Sequence, residues 1–339
     1  MKVVEKIIED VNGVGGLRIN DLIVPVKDSE KYLGDFICSE GLAKSVEETV
    51  TKRYGRALKA ITEIKSVVED FRANLLGGLN LGLQIWESAL LPSLIHNSDT
   101  WFSMNNSTLL KLKNLKTIFL RNLFAVPNST PINVLHWDSG CLTIKNRIIQ
   151  NKLLLLYHLV NLKACSLAKQ IFLKQKEKNL VGPVREMSGI LRELSLPDII
   201  NLESLVTKNQ WKCQVKRAIL RKNESEVKEK LLRYKKLEDD PILEENFCKK
   251  TYLESLNLID SRLMYRIRSK TTGAKMNMKS SEKFSKELWK CEDCGNIDSQ
   301  SHILWCPAYS PQREGKNISD EKDIVEYFRE VFQFRENFH

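Results

Sequence analysis

The stretch Ser45-Val46-Glu47-Glu48-Thr49-Val50-Thr51-Lys52-Arg53-Tyr54-Gly55-Arg56-Ala57-Leu58-Lys59-Ala60-Ile61-Thr62-Glu63-Ile64-Lys65-Ser66-Val67-Val68-Glu69-Asp70-Phe71 decides the fold class. Its apolar residues Val46, Val50, Tyr54, Ala57, Leu58, Ile61, Ile64, Val67, Val68 and Phe71 recur at steps of mainly three and four. That spacing lays them along one face of a helix, with lysines and glutamates around the rest. No proline interrupts the run, and Gly55 is its single glycine. A long amphipathic helix follows.

Reading outward toward the C-terminus, helical spacing returns repeatedly. Leu81, Ile85, Trp86, Ala89 and Leu90 predict a second helix that ends at Pro92. Over 106–125, Leu109, Leu112, Leu115, Ile118, Phe119 and Leu123 form a third face, with Asn106 or Ser107 as its cap and Val126–Pro131 as the closing loop. A fourth helix is expected around 143–161. After a softer boundary at 178–185 come basic helices near 204–236 and 242–268. A Lys-rich stretch, 269–287, and a short amphipathic helix over Ser319–Phe334 complete the chain. Toward the N-terminus the pattern changes to strands. Leu17–Ile19, the turn pair Asn20-Asp21 and Leu22–Val26 predict a hairpin, and Lys31–Cys38 a third strand. Asn12–Gly16 lacks the lysine and the strand-to-helix setting of a phosphate loop and reads as a plain loop.

Composition agrees. The 339 residues include only 15 glycines and 9 prolines, with 42% hydrophobic and 28% charged residues, as expected of a mainly α globular chain. The N-terminus has no uninterrupted apolar core, so it is not a secretory signal, and the longest apolar stretch, Leu153–Val160, is far short of the ~20 residues that span a bilayer. An intracellular protein of nucleus or cytoplasm, neither secreted nor membrane-bound, is expected. Five cysteines, Cys38, Cys141, Cys165, Cys213 and Cys248, are scattered and read as reduced, buried apolar residues. His136-Trp137-Asp138-Ser139 reads as a packing site, because adjacent residues cannot build a catalytic relay. His158 reads as a core or edge histidine.

The net charge of +10 is concentrated. Residues 208–236 hold eleven lysines and arginines against three glutamates, and 262–290 hold nine against two acidic residues. Such blocks attract polyanions, of which nucleic acid is the commonest. Lys212, Lys216, Arg217, Arg221, Arg262, Arg266 and Arg268 are the candidate phosphate contacts.

The remaining cysteines are clustered. Cys291-Glu292-Asp293-Cys294-Gly295 precedes His302-Ile303-Leu304-Trp305-Cys306, a C-x2-C-x7-H-x3-C spacing. The first pair turns two thiolates toward one ion across a tight turn, and His302 and Cys306 share a face of a helical turn. Four N/S ligands with no vacant position describe a closed, structural Zn2+ site at Cys291, Cys294, His302 and Cys306. Trp289, Trp305 and Tyr309 nearby serve either to stack on bases or to build the module's own small core.

Three stretches in this order resemble the C-terminal part of non-LTR (LINE-like) retrotransposon reverse transcriptases. Lys31-Tyr32-Leu33-Gly34 resembles the primer-grip strands. Glu87–Leu94 with Asn97-Ser98-Asp99-Thr100-Trp101 is similar to the thumb segment, and Ser301–Pro307 within the cysteine cluster to the C-terminal zinc knuckle. Arg262–Arg268 fits the basic helix upstream of that knuckle. The resemblance spans 16–310. It implies a primer-grip β element over 1–40, a thumb-like helical bundle over 41–177 and a basic helical linker over 185–288. A CCHC knuckle over 289–310 and a C-terminal helix over 311–339 follow. The partner it implies is nucleic acid, RNA or an RNA–DNA hybrid, and no small-molecule substrate. The aspartate pair that holds catalytic metals in this family has no counterpart before Lys31, and Glu238-Asp239-Asp240-Pro241 reads as a surface turn, so the chain alone is not expected to polymerise. The rival expectations are a helical interaction scaffold with a purely structural zinc site, and one part of a complete RNA-directed DNA polymerase.

Overall fold

The computed structural model describes residues 27–72, 75–102, 104–128, 130–178, 182–201, 206–234, 245–272, 274 and 290–338, with backbone alone at 71–72 and 337–338. It also describes the strand backbones of 7–9, 15–19 and 22–25. The turn pair Asn20-Asp21, Glu238–Pro241, most of the Lys-rich stretch and Trp289 lie outside the described residues.

The chain is mainly α, as its sequence predicts. At the N-terminus β1 (Ile7–Glu9), β2 (Gly15–Ile19) and β3 (Leu22–Pro25) pair antiparallel in that order, so the expected hairpin has an additional edge strand. Lys31–Cys38, expected as one strand, instead folds back on itself. β4 (Ser29–Tyr32) pairs with β5 (Asp35–Cys38), Tyr32 opposite Asp35. Leu33 (φ 48°) and Gly34 (φ 91°) form the two-residue turn, both in the left-handed region that suits the twist of a tight hairpin. Leucine is not a turn residue, which is why alternation reads straight through it.

The hairpin lies on α1 (Leu42–Arg72), held by the Phe36 N–H donating to Thr49 Oγ1 (2.8 Å) and the Cys38 N–H to Ser45 Oγ (2.9 Å). α2 (Gly78–Ile85) does not stop at Pro92. It passes through a π-helical turn, Trp86–Leu90, into α3 (Leu91–Leu94), and this widened turn directly precedes Pro92, which has no N–H to return to it. α4 (Asn106–Phe124) is capped by Asn105, one residue before the expected cap, whose Oδ1 accepts from the Thr108 N–H at 2.7 Å. α5 (Ile132–Ser139) and α6 (Ile144–Val160) follow, the latter capped by Thr143.

Beyond them run α7 (Leu167–Glu177), α8 (Pro183–Glu193) and the long α9 (Lys208–Leu232). The single helix expected over 242–268 is two, α10 (Tyr252–Ser255) and α11 (Leu258–Arg268). Asn257 breaks it by capping α11 through the Asp260 N–H (2.9 Å). α12 (Gln300–Trp305), α13 (Ser310–Arg313) and α14 (Glu321–Phe338) complete the order.

Buried side chains form two clusters. The larger joins α1–α5, the start of α6, the end of α9, α10, α11, the cysteine module and α14, with Trp86 stacked on Phe119 at its centre (4.5 Å between rings). The smaller gathers the rest of α6 with α7, α8 and the first half of α9. α9 serves both. Its buried residues Trp211, Val215, Ile219, Asn223, Val227 and Leu231 are four apart. Each step of four overshoots a full turn by about 40°, so the stripe winds roughly 200° around the helix. Trp211 to Ile219 face the smaller cluster, and Val227 and Leu231 the larger. Asn223, fully buried at the crossing, accepts from the Thr143 N–H (2.8 Å) and Asn146 Nδ2 (3.1 Å). Cys38 and Cys141 are buried as expected, whereas Cys165, Cys213 and Cys248 are exposed. Among the described residues, no helix is long and apolar enough to cross a membrane.

Candidate metal centre and basic surfaces

Cys291, Cys294, His302 and Cys306 converge as their spacing predicts. The Lys290–Ile297 bridge and the Cys291 N–H to Asn296 O bond (2.6 Å) close a tight loop around the first two thiols. Gly295 makes that loop possible by adopting φ +75°. Ser299 caps α12 through the His302 N–H (3.0 Å), setting the imidazole against the loop, and Cys306 follows immediately after the helix. The four ligand atoms lie within 4.8 Å of one another, with Cys294 Sγ 3.2 Å from His302 Nε2 and 3.7 Å from Cys306 Sγ. A tetrahedral zinc ion with its usual bond lengths would hold sulfurs roughly 3.8 Å apart and a sulfur–nitrogen pair roughly 3.5 Å apart. The cluster could therefore hold a metal ion, and its donor set and spacing are compatible with zinc.

The surroundings brace this geometry. Tyr309 donates from its hydroxyl to Asp293 Oδ2 (2.8 Å) and lies 3.7 Å from Cys291 Sγ. Arg335 of α14 donates to Tyr309 Oη (3.0 Å) and makes a two-pronged pair with the buried Asp298 (2.7 and 3.1 Å). Gln300 Nε2 donates to Ile267 O of α11 (2.7 Å), and Tyr327 of α14 to Ile303 O. Cys291, Ile303, Cys306 and Tyr309 are part of the main core rather than of a separate bead. Burial pushes the Cys306 thiol up to about 12, so a bound cation must displace its proton. Of the expected aromatic stackers, Tyr309 is buried, while Trp305 is 69% exposed beneath the Arg313 guanidinium.

The seven candidate phosphate contacts divide. Lys212, Lys216, Arg217 and Arg221 are exposed on α9. By helix geometry Arg217 and Arg221 point directly away from the buried stripe, and Lys212 and Lys216 lie along one flank of it. The three arginines of α11 are each engaged by another part of the fold, Arg262 and Arg268 partly buried and Arg266 exposed. Arg262 donates twice to Leu123 O (3.0 and 2.9 Å) and once to Glu69 (3.0 Å), and Arg266 donates to Ala125 O (3.0 Å). Both cap the C-terminal carbonyls of α4, where cations are favoured. Arg268 is paired with the fully buried Asp138 (2.9 and 3.1 Å) and with Glu245 (2.7 and 3.0 Å). Spacing along one helix cannot reveal carbonyls and carboxylates supplied by distant elements.

The structure also assembles a cleft that composition does not show. Lys31, Arg53, Arg56, Ser93 and His96 wall about 410 Å³ over Ala57, Ala60, Leu90 and Leu94, and no carboxylate lines it. Arg53, itself buried, ties the hairpin to the helices by donating to Gly34 O (3.0 Å), Asp35 (2.6 Å), Leu94 O (3.2 Å) and His96 O (2.8 Å). Lys31, Arg56 and His96 are exposed around it. The signal in the sequence is Arg53 and Arg56 interrupting an otherwise regular amphipathic run. His136 is partly buried, in keeping with a packing role, and His158 is exposed. Comparison with known proteins finds no family model, no curated protein and no solved structure that matches this chain.

Proposed function

We propose that this chain grips RNA or an RNA–DNA duplex through its phosphates, without polymerase chemistry of its own. Its primer-grip, thumb and knuckle parts would be those of a non-LTR retrotransposon reverse transcriptase. The observation that carries the reading is the cleft at the β4–β5 turn, where Lys31 of the hairpin and Arg53 and Arg56 of α1 converge beside Ser93 and His96, with no carboxylate among the lining residues. The Tyr-Leu-Gly stretch that resembles the family forms that turn. The exposed cations Lys212, Lys216, Arg217 and Arg221 extend the favourable field for a polyanion. The cysteine module supports a structural zinc: all four ligands come from the protein, two of them are buried, and the module is joined to α11 and α14.

The test is binding of the zinc-loaded chain to a fluorescent RNA–DNA hybrid across a salt series. Wild type is compared with a variant carrying Lys212→Glu, Lys216→Glu, Arg217→Glu and Arg221→Glu. Steeply salt-dependent binding, weaker and less salt-sensitive in the variant, is the expected result. Absence of binding at low salt overturns the reading. A second reading, an interaction scaffold or a docking part of a larger polymerase, is favoured by the apolar surface of Tyr32, Leu33, Ile37 and Leu42. These residues are 48–74% exposed beside a groove of about 600 Å³. Salt-insensitive affinity for the hybrid, no greater than that of a neutral control protein, would favour it.

A further inference from the structure

α4, α6 and α9 meet at a junction held by side-chain hydrogen bonds, among them the Asn146–Asn223 bond already described. Lys116 Nζ donates to Leu142 O (2.5 Å), the Thr143 N–H to Asn223 Oδ1 (2.8 Å) and Asn146 Nδ2 to Glu226 Oε2 (3.0 Å). Within about one turn of these contacts each helix presents an exposed lysine: Lys113 on α4, Lys145 in the first turn of α6, and Lys230 on α9. None of the three makes a hydrogen bond or ion pair among the described residues. Glu226, the carboxylate that acts on Lys113, also accepts from Asn146 Nδ2 and keeps its charge. The Lys113 ammonium is held below its ordinary value by burial and then by Lys230 and Lys145, which places all three lysines around one junction. Beneath them Lys116 is 1% exposed and has only a carbonyl for a hydrogen-bond partner. α6, a helix of 17 residues, points its N-terminal dipole at the same place.

Three lysines from three helices, opposed by the single carboxylate of Glu226, leave a net positive charge at the junction. A fold that keeps them in place gains most when an anion lies between them. We propose that Lys113, Lys145 and Lys230, with the first turn of α6, form an anion site that seats backbone phosphates of a nucleic acid. The site rests on the nucleic-acid reading above and adds a second, separate footprint to it. A polyanion is its partner rather than free phosphate because the three lysines are exposed. A lone phosphate there stays solvated, whereas a strand held at several points releases counterions at each.

The experiment uses the full zinc-loaded chain and the same fluorescent hybrid. A variant with Lys113→Glu, Lys145→Glu and Lys230→Glu is compared with wild type and with a control of equal charge change, Lys163→Glu, Lys174→Glu and Lys178→Glu. Without those three lysine–phosphate pairings, the slope of log affinity against log salt should fall by roughly 2 to 3, and affinity at moderate salt by about tenfold or more. The control should show neither change. Lysine acetylation read by mass spectrometry gives a second measurement on unmodified wild type. The hybrid should protect all three lysines, and inorganic phosphate should not. Wild-type binding with the junction variant equal to the control, or lysines unprotected by bound hybrid, overturns the site and leaves the nucleic-acid reading standing. Equal protection by inorganic phosphate overturns the assignment to a strand. No wild-type binding overturns both.

Discussion

Replacing Arg268 by alanine separates a residue that holds the fold from one that meets a ligand. The guanidinium sits between two carboxylates, Asp138 with no exposure and the half-buried Glu245. In its absence Glu245 keeps Lys250 at 2.6 Å, so its share of the loss is small. Among the described residues, Asp138 keeps only the Tyr252 hydroxyl (2.8 Å) as a side-chain donor and becomes a buried charge without a counterion. Removing one partner of such a pair costs about 3–5 kcal/mol. Arg266, two residues away and exposed, loses a single bond to Ala125 O on the same substitution, about 0.5–1.5 kcal/mol. The assay is urea unfolding followed by far-ultraviolet circular dichroism for Arg268→Ala, Arg266→Ala and the double variant Asp138→Asn/Arg268→Ala. The double variant should recover part of the loss because the stranded charge is gone. Hybrid binding by Arg268→Ala, measured where it is folded, should match wild type. Stability within about 1 kcal/mol of wild type, the range of an exposed ion pair, would refute the reasoning, as would a binding defect as large as that of the α9 charge reversals.

Two further outcomes are expected. Metal analysis should find one zinc per chain, lost in Cys306→Ser, and amide exchange in the chelated protein should rise first in α12–α14 while α1 and α4 stay protected. The same cluster of buried charge predicts the pH limits. Burial raises the Glu245 carboxyl, but hydrogen bonds and charge from Arg268 and Lys250 hold it below its ordinary 4.5. Its stabilisation is therefore full above that value and is lost as pH falls below it. Burial and Asp138 raise the Tyr252 phenol well above 10, so its contribution is full below pH 10 and is lost as pH rises beyond. Urea midpoints against pH should show both limbs, the acid one flattened in Glu245→Gln and the alkaline one in Tyr252→Phe.

What the sequence makes legible is whatever is encoded locally. The helical period of α1 and α4 and the convergence of Cys291, Cys294, His302 and Cys306 are set over short stretches of chain, and periodicity and spacing read both. The β4–β5 turn escapes because its signal is a positive φ at Leu33, a residue that does not advertise one. The break before α11 escapes because Asn257 acts through a cap, not through proline or glycine. α5, α7 and α8 are hard to read because each spans only eight to eleven residues, too short for a period to repeat clearly. The fold partners of the α11 arginines, Leu123, Ala125 and Asp138, are illegible because they lie more than a hundred residues away. The lysine junction is illegible for the same reason: Lys113, Lys145 and Lys230 become neighbours only when three helices cross.

The winding stripe of α9 makes the length of that helix part of its specification. Both clusters are packed against a single rigid rod, so their relative orientation is a phase relation fixed by the number of residues between Ile219 and Val227. One residue gained or lost there would turn one cluster's packing face by about 100° while leaving composition, charge and helix propensity almost unchanged. Seven residues, nearly two whole turns, would restore the phase to within about 20° and shift the bodies apart by about 10 Å. The segment thus behaves as a ruler and an angle gauge at once, far more tolerant of substitution on its outer face than of any change in count.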